Sequence, residues 1–260
     1  MTGKLTFLGT GTSQGIPIPA CSCAVCTSPH PKDNRLRSSV LIEVNEKTLC
    51  IDTGPDFRQQ MLRERVKNLD AILYTHEHRD HISGLDDIRA YNYAAMRPIP
   101  LYAPSEVVEA LHRSYHYIFN SNYPGIPKVI LHEIDEAPLT LFGLPITPIP
   151  VYHYELRVFG YRLGNIAYIT DAKTVPESSS ELIRGVDTLI INCLHESPHI
   201  SHFNLEEALQ FIEDIGPSQS YLTHISHLFG SHDEINAKLP AHVFAAYDGL
   251  RLDFHIETTV

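Results

Sequence analysis

The stretch Thr75-His76-Glu77-His78-Arg79-Asp80-His81 follows directly on the apolar run Ala71-Ile72-Leu73-Tyr74. Four potential metal ligands, three imidazoles and a carboxylate, fall within six residues. The apolar run reads as a buried strand. While the chain stays extended beyond it, His76 and His78 point to one side. If it then turns, Asp80 and His81 can face a second ion. Imidazole suits zinc, and carboxylate suits harder ions such as manganese. Two metals about 3.5–4 Å apart form a clamp for displacement at phosphorus or hydrolysis at a carbonyl.

More ligands stand where other apolar runs stop. His153 follows ITPIPVY, Asp171 follows IAYIT and His224 follows SYLT. That recurrence fits ligands gathered at one rim of a sheet. Asp52 ends TLCID in the same manner. It is placed either to orient a ligand histidine or to bind backbone in the turn before Gly54-Pro55. Upstream, Cys21-Ser22-Cys23-Ala24-Val25-Cys26 spaces three thiols as C-x-C-x-x-C. Thiolates this close favour zinc, and a closed tetrahedral site needs a fourth ligand. His227, three residues after His224 in THISH, competes for that place with His30. Cys50 and Cys193 lie alone in apolar runs and read as core filler.

Composition bounds the remaining choices. The chain has 260 residues, 43% of them hydrophobic, with 20 Lys and Arg against 31 Asp and Glu, a formal charge of −11. It can bury a sizeable core, so disorder is excluded. No apolar run approaches the roughly 18 residues of a membrane span, and the start shows no secretory pattern. Five cysteines, three of them clustered, point to a reducing cytoplasm rather than a disulfide framework. The acidic balance disfavours nucleic acid, whose binding rests on Lys and Arg neutralising phosphates. Periodicity predicts strands over 5–8, 39–44, 48–51, 71–74, 99–102, 129–132, 146–150, 159–163, 167–170, 188–192, 219–223 and 242–245. It predicts helices over 56–65, 84–95, 105–116, 178–184, 205–215 and 231–238. Asn204 reads as an N-cap, and Gly216-Pro217 as a helix stop. Hairpin-spaced strands followed by mixed elements suggest stacked sheets with helices outside. With no break in composition, residues 1–260 read as one domain, carrying a Cys-rich loop at about 15–38.

THEHRDH resembles the HxHxDH signature of the metallo-β-lactamase fold hydrolases. The resemblance extends over FLGTGTS, the IDTG turn at Asp52, His153, the ITD at Asp171 and THISH at His224. It implies an α/β, four-layer αβ/βα sandwich with a dinuclear site between the sheet edges. It also implies that His76, His78 and His153 bind one ion, that Asp80, His81 and His224 bind the other, and that Asp171 bridges them. Asp52 matches an aspartate behind the ligands. FLGTGTSQGIP, CSCAVC, DNRLRSS, THEHRDHISGL and THISH look like the phosphoribosyl cyclic phosphate phosphodiesterase branch of phosphonate utilisation. That branch implies a structural zinc on Cys21, Cys23, Cys26 and His227. It also implies a catalytic histidine before a helix, best matched by His202 in HISHFNLEEAL, with His199 as competitor.

Charge then suits a phosphate ester. Two divalent ions, offset by Asp80, Asp171 and a bridging hydroxide, leave a core of about +1. The expected reaction is hydroxide attack on a small, cyclic phosphodiester. His202, with a pKa near the working pH, would protonate the leaving alkoxide. The expected cofactors are two zinc or manganese ions and one structural zinc. Arg35, Arg37 and Arg89 either touch substrate phosphate or, in the favoured reading, pair with acids. Membranes are not expected partners, nucleic acid is disfavoured, and a homodimer is left open. Three rival readings remain. A tRNA 3′-processing endonuclease would need a basic arm that is absent from the sequence. A thioesterase or lactonase often carries Gly-Gly where this chain has Ile82-Ser83-Gly84-Leu85. A non-catalytic metal-binding protein would be expected to lack at least one of the seven ligands.

Overall fold

A computed structural model describes residues 2–121 and 123–256. The strands are β1 (Thr2–Gly9), β2 (Ser39–Val44), β3 (Lys47–Ile51), β4 (Ala71–Leu73), β5 (Ile99–Ala103), β6 (Val129–Glu133) and β7 (Leu139–Leu141). They continue as β8 (Leu144–His153), β9 (Leu156–Leu163), β10 (Ile166–Ile169), β11 (Thr188–Asn192), β12 (Gln219–Thr223), β13 (Val243–Ala245) and β14 (Arg251–His255). The helices are α1 (Phe57–Arg63), α2 (Arg79–Ile82), α3 (Arg89–Ala95), α4 (Ser105–Ser114), α5 (His116–Phe119), α6 (Glu177–Ile183), α7 (Leu205–Ile215) and α8 (His232–Asn236).

Two seven-stranded sheets form, in the orders β14-β1-β2-β3-β4-β5-β6 and β13-β12-β11-β10-β9-β8-β7. Alternation along the strands explains why they stack. In β2, Val40, Ile42 and Val44 join the core between the sheets, while Leu41 points to the opposite side. In β11, Ile190 faces inward, and Leu189 and Ile191 face outward. Outward residues of the first sheet pack on Phe57 and Met61 of α1 and Val107 and Leu111 of α4. Those of the second pack on Ile183 of α6, Ile212 of α7 and Ile235 of α8. Each such buried side chain contributes roughly 1.5–3 kcal/mol, so both faces of both sheets hold helices or each other. The four-layer αβ/βα order follows from that alternation.

Most predicted elements stand within a residue or two, and the differences have local causes. The expected helix over 84–95 is a 3₁₀ turn, Leu85–Ile88, followed by α3. The helix over 105–116 stops at Ser114 and resumes as α5. Strands β7 and β14 were not foreseen. The first has three residues, whereas Arg251–His255 shows a plain exposed-buried alternation. Asn204 and Glu207 form a reciprocal capping box on α7, and Gly216 closes it in the left-handed region. Among the described residues, no helix is long and apolar enough to cross a membrane.

Strands β3, β4 and β5 run parallel, as do β10, β11, β12 and β13. Parallel strands deliver their carboxyl ends to one rim, where α/β sheets bind ligands. Asp52 follows β3, the THEHRDH stretch follows β4, Asp171 follows β10 and His224 follows β12.

Candidate active site

The metal-motif loop turns after His78. Helix α2 begins at Arg79, so His76 and His78 leave from extended chain while Asp80 and His81 leave from a helical turn. Two glycines permit that packing. A Cβ at Gly54 would meet the Asp80 carbonyl oxygen at 2.1 Å, and one at Gly84 would meet the Gly54 carbonyl oxygen at 2.1 Å. Asp52, Asp171 and His224 all adopt positive φ, at 65°, 57° and 56°. A left-handed residue other than glycine costs about 1 kcal/mol or more and tends to mark functional turns.

Asp52 is fully buried. Its Oδ1 accepts from the Thr75 N–H at 2.9 Å, and its Oδ2 from the Thr75 hydroxyl at 2.8 Å. His81 Nδ1 lies 2.7 Å from the same Oδ2. Of the two readings for Asp52, the geometry matches the orienting one. His81 Nε2 is thereby aimed at Asp80, 3.1 Å away, and at Asp171, 3.3 Å away. Burial opposes a charged His81, but Asp80, Asp171 and Asp52 outweigh it and hold the metal-free ring protonated well above the usual histidine range. Burial alone would raise Asp171, yet His224 and His81 drive its carboxyl well below the usual range.

The other candidate ligands have fixed rings too. His153 Nδ1 lies 2.7 Å from the Ser201 carbonyl oxygen and donates to it, which leaves Nε2 as the free acceptor. His76 Nδ1 meets the Thr75 hydroxyl at 2.9 Å. Its Nε2 is buried with no hydrogen-bond partner, a condition that costs about 1–3 kcal/mol unless a cation satisfies it. His224 Nδ1 lies 3.2 Å from both Ser38 Oγ and Asp171 Oδ2. Donor atoms converge within 4.8 Å in three groups, namely His76, His81 and Asp171; Asp80, His81 and His224; and His153, Asp171 and His202. The His78 ring is 4.7 Å from that of His76 and 5.2 Å from that of His153. Buried imidazoles and carboxylates with an orphaned nitrogen are a donor set suited to divalent ions.

His202 is buried, with Nδ1 3.9 Å from Asp171 Oδ1 and no hydrogen-bond partner. Its ring lies 4.4 Å from that of His153 and 4.8 Å from that of His224. His199 sits farther out, 5.3 Å from the His202 ring, with Nδ1 bonded to Ser201. Burial, then His224, pushes His202 down to about 2 against the pull of Asp171. Desolvation therefore favours the neutral ring while the site holds no ions.

The thiol cluster closes on the neighbouring turn. Sγ atoms of Cys21, Cys23 and Cys26 lie 3.5, 3.3 and 3.6 Å from His227 Nδ1. A tetrahedral zinc with normal bond lengths separates sulfur from nitrogen by about 3.6 Å, so the four side chains fit one. The bond to His227, then one from the Cys26 N–H, lowers Cys23 to about 6, while burial raises Cys26 to about 11. His30 is elsewhere, capping the turn at Pro31–Asp33 and stacked on His232.

The arginines have partners within the fold. Arg35 is buried and donates to Thr10 Oγ1 and to the Ala246 carbonyl. Arg37 pairs with Asp56 at 3.2 Å, and Arg89 with Asp86 at 3.6 Å. Thr75, Ser38 and Ser201 escaped the sequence reading. Only Thr75 carried a signal, its place beside His76.

The model of the β-lactamase superfamily domain matches residues 47–225. Among solved structures, the chain is similar to a new diphosphatase from the PhnP family, with 42% identity, 98% of each chain covered and a TM-score of 0.92. It is 39% identical over 251 residues to the octanoyltransferase of Porphyromonas gingivalis. That match covers 95% of this chain and 51% of the other, so the chain spans about half the length of this relative. It is 27% identical over 208 residues to the ribonuclease Z of Mycobacterium bovis, covering 72% of this chain and 69% of that one.

Proposed function

The chain belongs to the β-lactamase superfamily, within its PhnP family, and from that premise we propose a dinuclear, metal-dependent hydrolase of small phosphate esters. The observation that carries the reading is the position of Asp171. Its Oδ2 lies 3.2 Å from His224 and 3.3 Å from His81, while its Oδ1 faces His202. A donor atom of Asp171 also lies within 4.8 Å of those of His76 in one group and of His153 in another, and a carboxylate set between the two proposed ligand sets suits a bridge between two ions. In this reading His76, His78 and His153 hold one ion, and Asp80, His81 and His224 hold the other. Cys21, Cys23, Cys26 and His227 hold a structural zinc, which favours a reducing, cytoplasmic setting.

Zinc or manganese at the paired site would polarise the phosphoryl oxygens and make hydroxide available near neutral pH. The protein's own part is positioning. Asp52 fixes His81, and the Ser201 carbonyl fixes His153, so the donors are arranged before substrate arrives. His202, without a hydrogen-bond partner, is free to take a proton when an anionic ester enters and to deliver it to the departing oxygen. The similarity to a diphosphatase widens the substrate class from cyclic phosphodiesters to diphosphates, since both lose a bridging oxygen from phosphorus. The ribonuclease Z relative favours a second reading, tRNA 3′ processing, which the acidic balance opposes.

Metal analysis of native protein, followed by turnover assays, tests the proposal. The substrates are cyclic nucleotides, a cyclic ribose phosphate, bis-aryl phosphates, a dinucleoside diphosphate, precursor tRNA and a thioester. Three metals per chain with turnover of small phosphate esters is the expected result. Activity confined to precursor tRNA moves the protein to the second reading, and activity confined to the thioester overturns both. Sizing the same preparation checks for a homodimer.

A further inference from the structure

Three large apolar side chains stand in the open on the turns that carry the ligands. Tyr154 is 59% exposed, Ile200 68% and Leu228 70%. Tyr154 directly follows His153 at the turn between β8 and β9. Ile200 precedes Ser201, whose carbonyl holds His153 Nδ1 at 2.7 Å, so these two turns meet. Leu228 follows His227, on a turn joined to the same loop by the Ser226 N–H bond to the Leu194 carbonyl, 3.0 Å. Phe203 and Phe229 anchor those segments in the core beneath. Single exposed apolar residues are ordinary on a protein surface; these three each adjoin in sequence a residue of the candidate sites or one that positions it, on turns tied together by those hydrogen bonds. Tyr154 also holds φ at 58°, in the left-handed region where a bulky side chain is disfavoured.

Charge near the rim is already spent on the fold. Lys173, two residues beyond Asp171, pairs with Glu207 at 2.6 Å. Arg157, beside the β8–β9 turn, bridges Glu106 and Glu136. Arg79 donates to Ser114 Oγ on α4. The rim therefore offers an aromatic ring and two aliphatic surfaces rather than ammonium or guanidinium groups for a second phosphate.

We propose that Tyr154, Ile200 and Leu228 form a subsite for the planar base of a nucleoside-bearing phosphate ester. The inference rests on the phosphate-ester hydrolase reading and specifies its substrate. The phosphoryl group would sit among the ligands while the base stacks on the Tyr154 ring and lies against the aliphatic side chains. Base–aromatic stacking is sequence-tolerant and strengthens binding by about tenfold or more per base.

The test uses two esters with one leaving group, thymidine 5′-(p-nitrophenyl phosphate) and methyl p-nitrophenyl phosphate. Wild-type protein should prefer the nucleoside ester by about tenfold in kcat/KM, mainly through a lower KM. Ile200→Ser and Tyr154→Asn, the latter suited to positive φ, should each lower that preference, and together they should abolish it. Metal content of each variant guards against damage at His153. Equal KM values for the two esters in wild-type protein, or variants that leave the preference intact, would overturn the proposal. If neither ester turns over, and neither a cyclic phosphodiester nor a dinucleoside diphosphate does, the hydrolase reading fails by itself. The rim is then judged by calorimetry with thymidine 5′-phosphate against methyl phosphate, where equal affinity sinks it.

Discussion

His202 is the side chain whose replacement separates chemistry from metal binding. It shares a 4.8 Å donor cluster with His153 and Asp171, so its ring could donate a proton or hold an ion. As general acid, His202→Ala should lose about 10²- to 10⁴-fold in kcat and keep its metals. As a ligand, the same variant would lose an active-site ion, and metal analysis of the purified protein distinguishes the two. The candidate ligands could be picked from the sequence because their chemistry is rare and their spacing tight. The residues that hold them could not, because Ser38 and Ser201 meet His224 and His153 only across 186 and 48 residues of chain. Asp52 lay between these cases. Its strand-end position was visible, but its choice of His81 over the following turn depended on how β3 and β4 pair.

The turn after β12 joins the two candidate metal sites. His224 stands against Asp171, and His227 stands among the three thiols of a loop about 200 residues upstream in the chain. That loop is further tied by Gly11, which bridges to both Arg37 and Ile225. Cys23→Ser should remove one zinc per chain and leave the paired site able to load. Because the same turn places His224, activity should fall several-fold and the melting temperature should drop, by about 2–4 °C for each kcal/mol lost. Zinc stoichiometry, turnover and thermal melting of one preparation read all three, and an unchanged zinc count would remove the cluster's role. The cysteine spacing announced this element, and THISH offered its partner. Spacing alone left His227 and His30 open and only the family resemblance pointed to His227, since loop contacts with a distant turn leave no local periodicity. Strand β14 differs in kind: its exposed-buried alternation is present in Arg251–His255.

At the scale of the molecule, the inner core draws Leu5, Val40 and Leu73 from one sheet and Ile146, Phe159 and Ile190 from the other. Neither sheet can shed its partner without exposing that surface, so residues 1–260 should melt in a single transition. Acid should weaken this unit in a defined window through His232. Its ring is buried, with Nδ1 3.4 Å from Arg35 Nη2, and the backbone N–H of His232 donates to Asp33 Oδ1 at 2.6 Å. Burial first, then Arg35 and Lys32, lowers His232 from 6.5 to about 4. Between those values the unfolded chain holds a proton that the folded one refuses. Stability from this group is therefore complete above pH 6.5 and is lost as pH falls toward 4. Discounted for solvent at the ring edge, the loss is about 1–2 kcal/mol, or roughly 3 °C or more in melting temperature. Asp248, whose carboxyl burial raises, works in the opposite sense, so wild-type protein alone cannot isolate the histidine. The comparison with His232→Asn can. The variant starts less stable at pH 7.5, and its melting temperature should fall less than that of wild type between pH 6.5 and 4. Parallel curves for the two proteins would show that His232 does not titrate in this window.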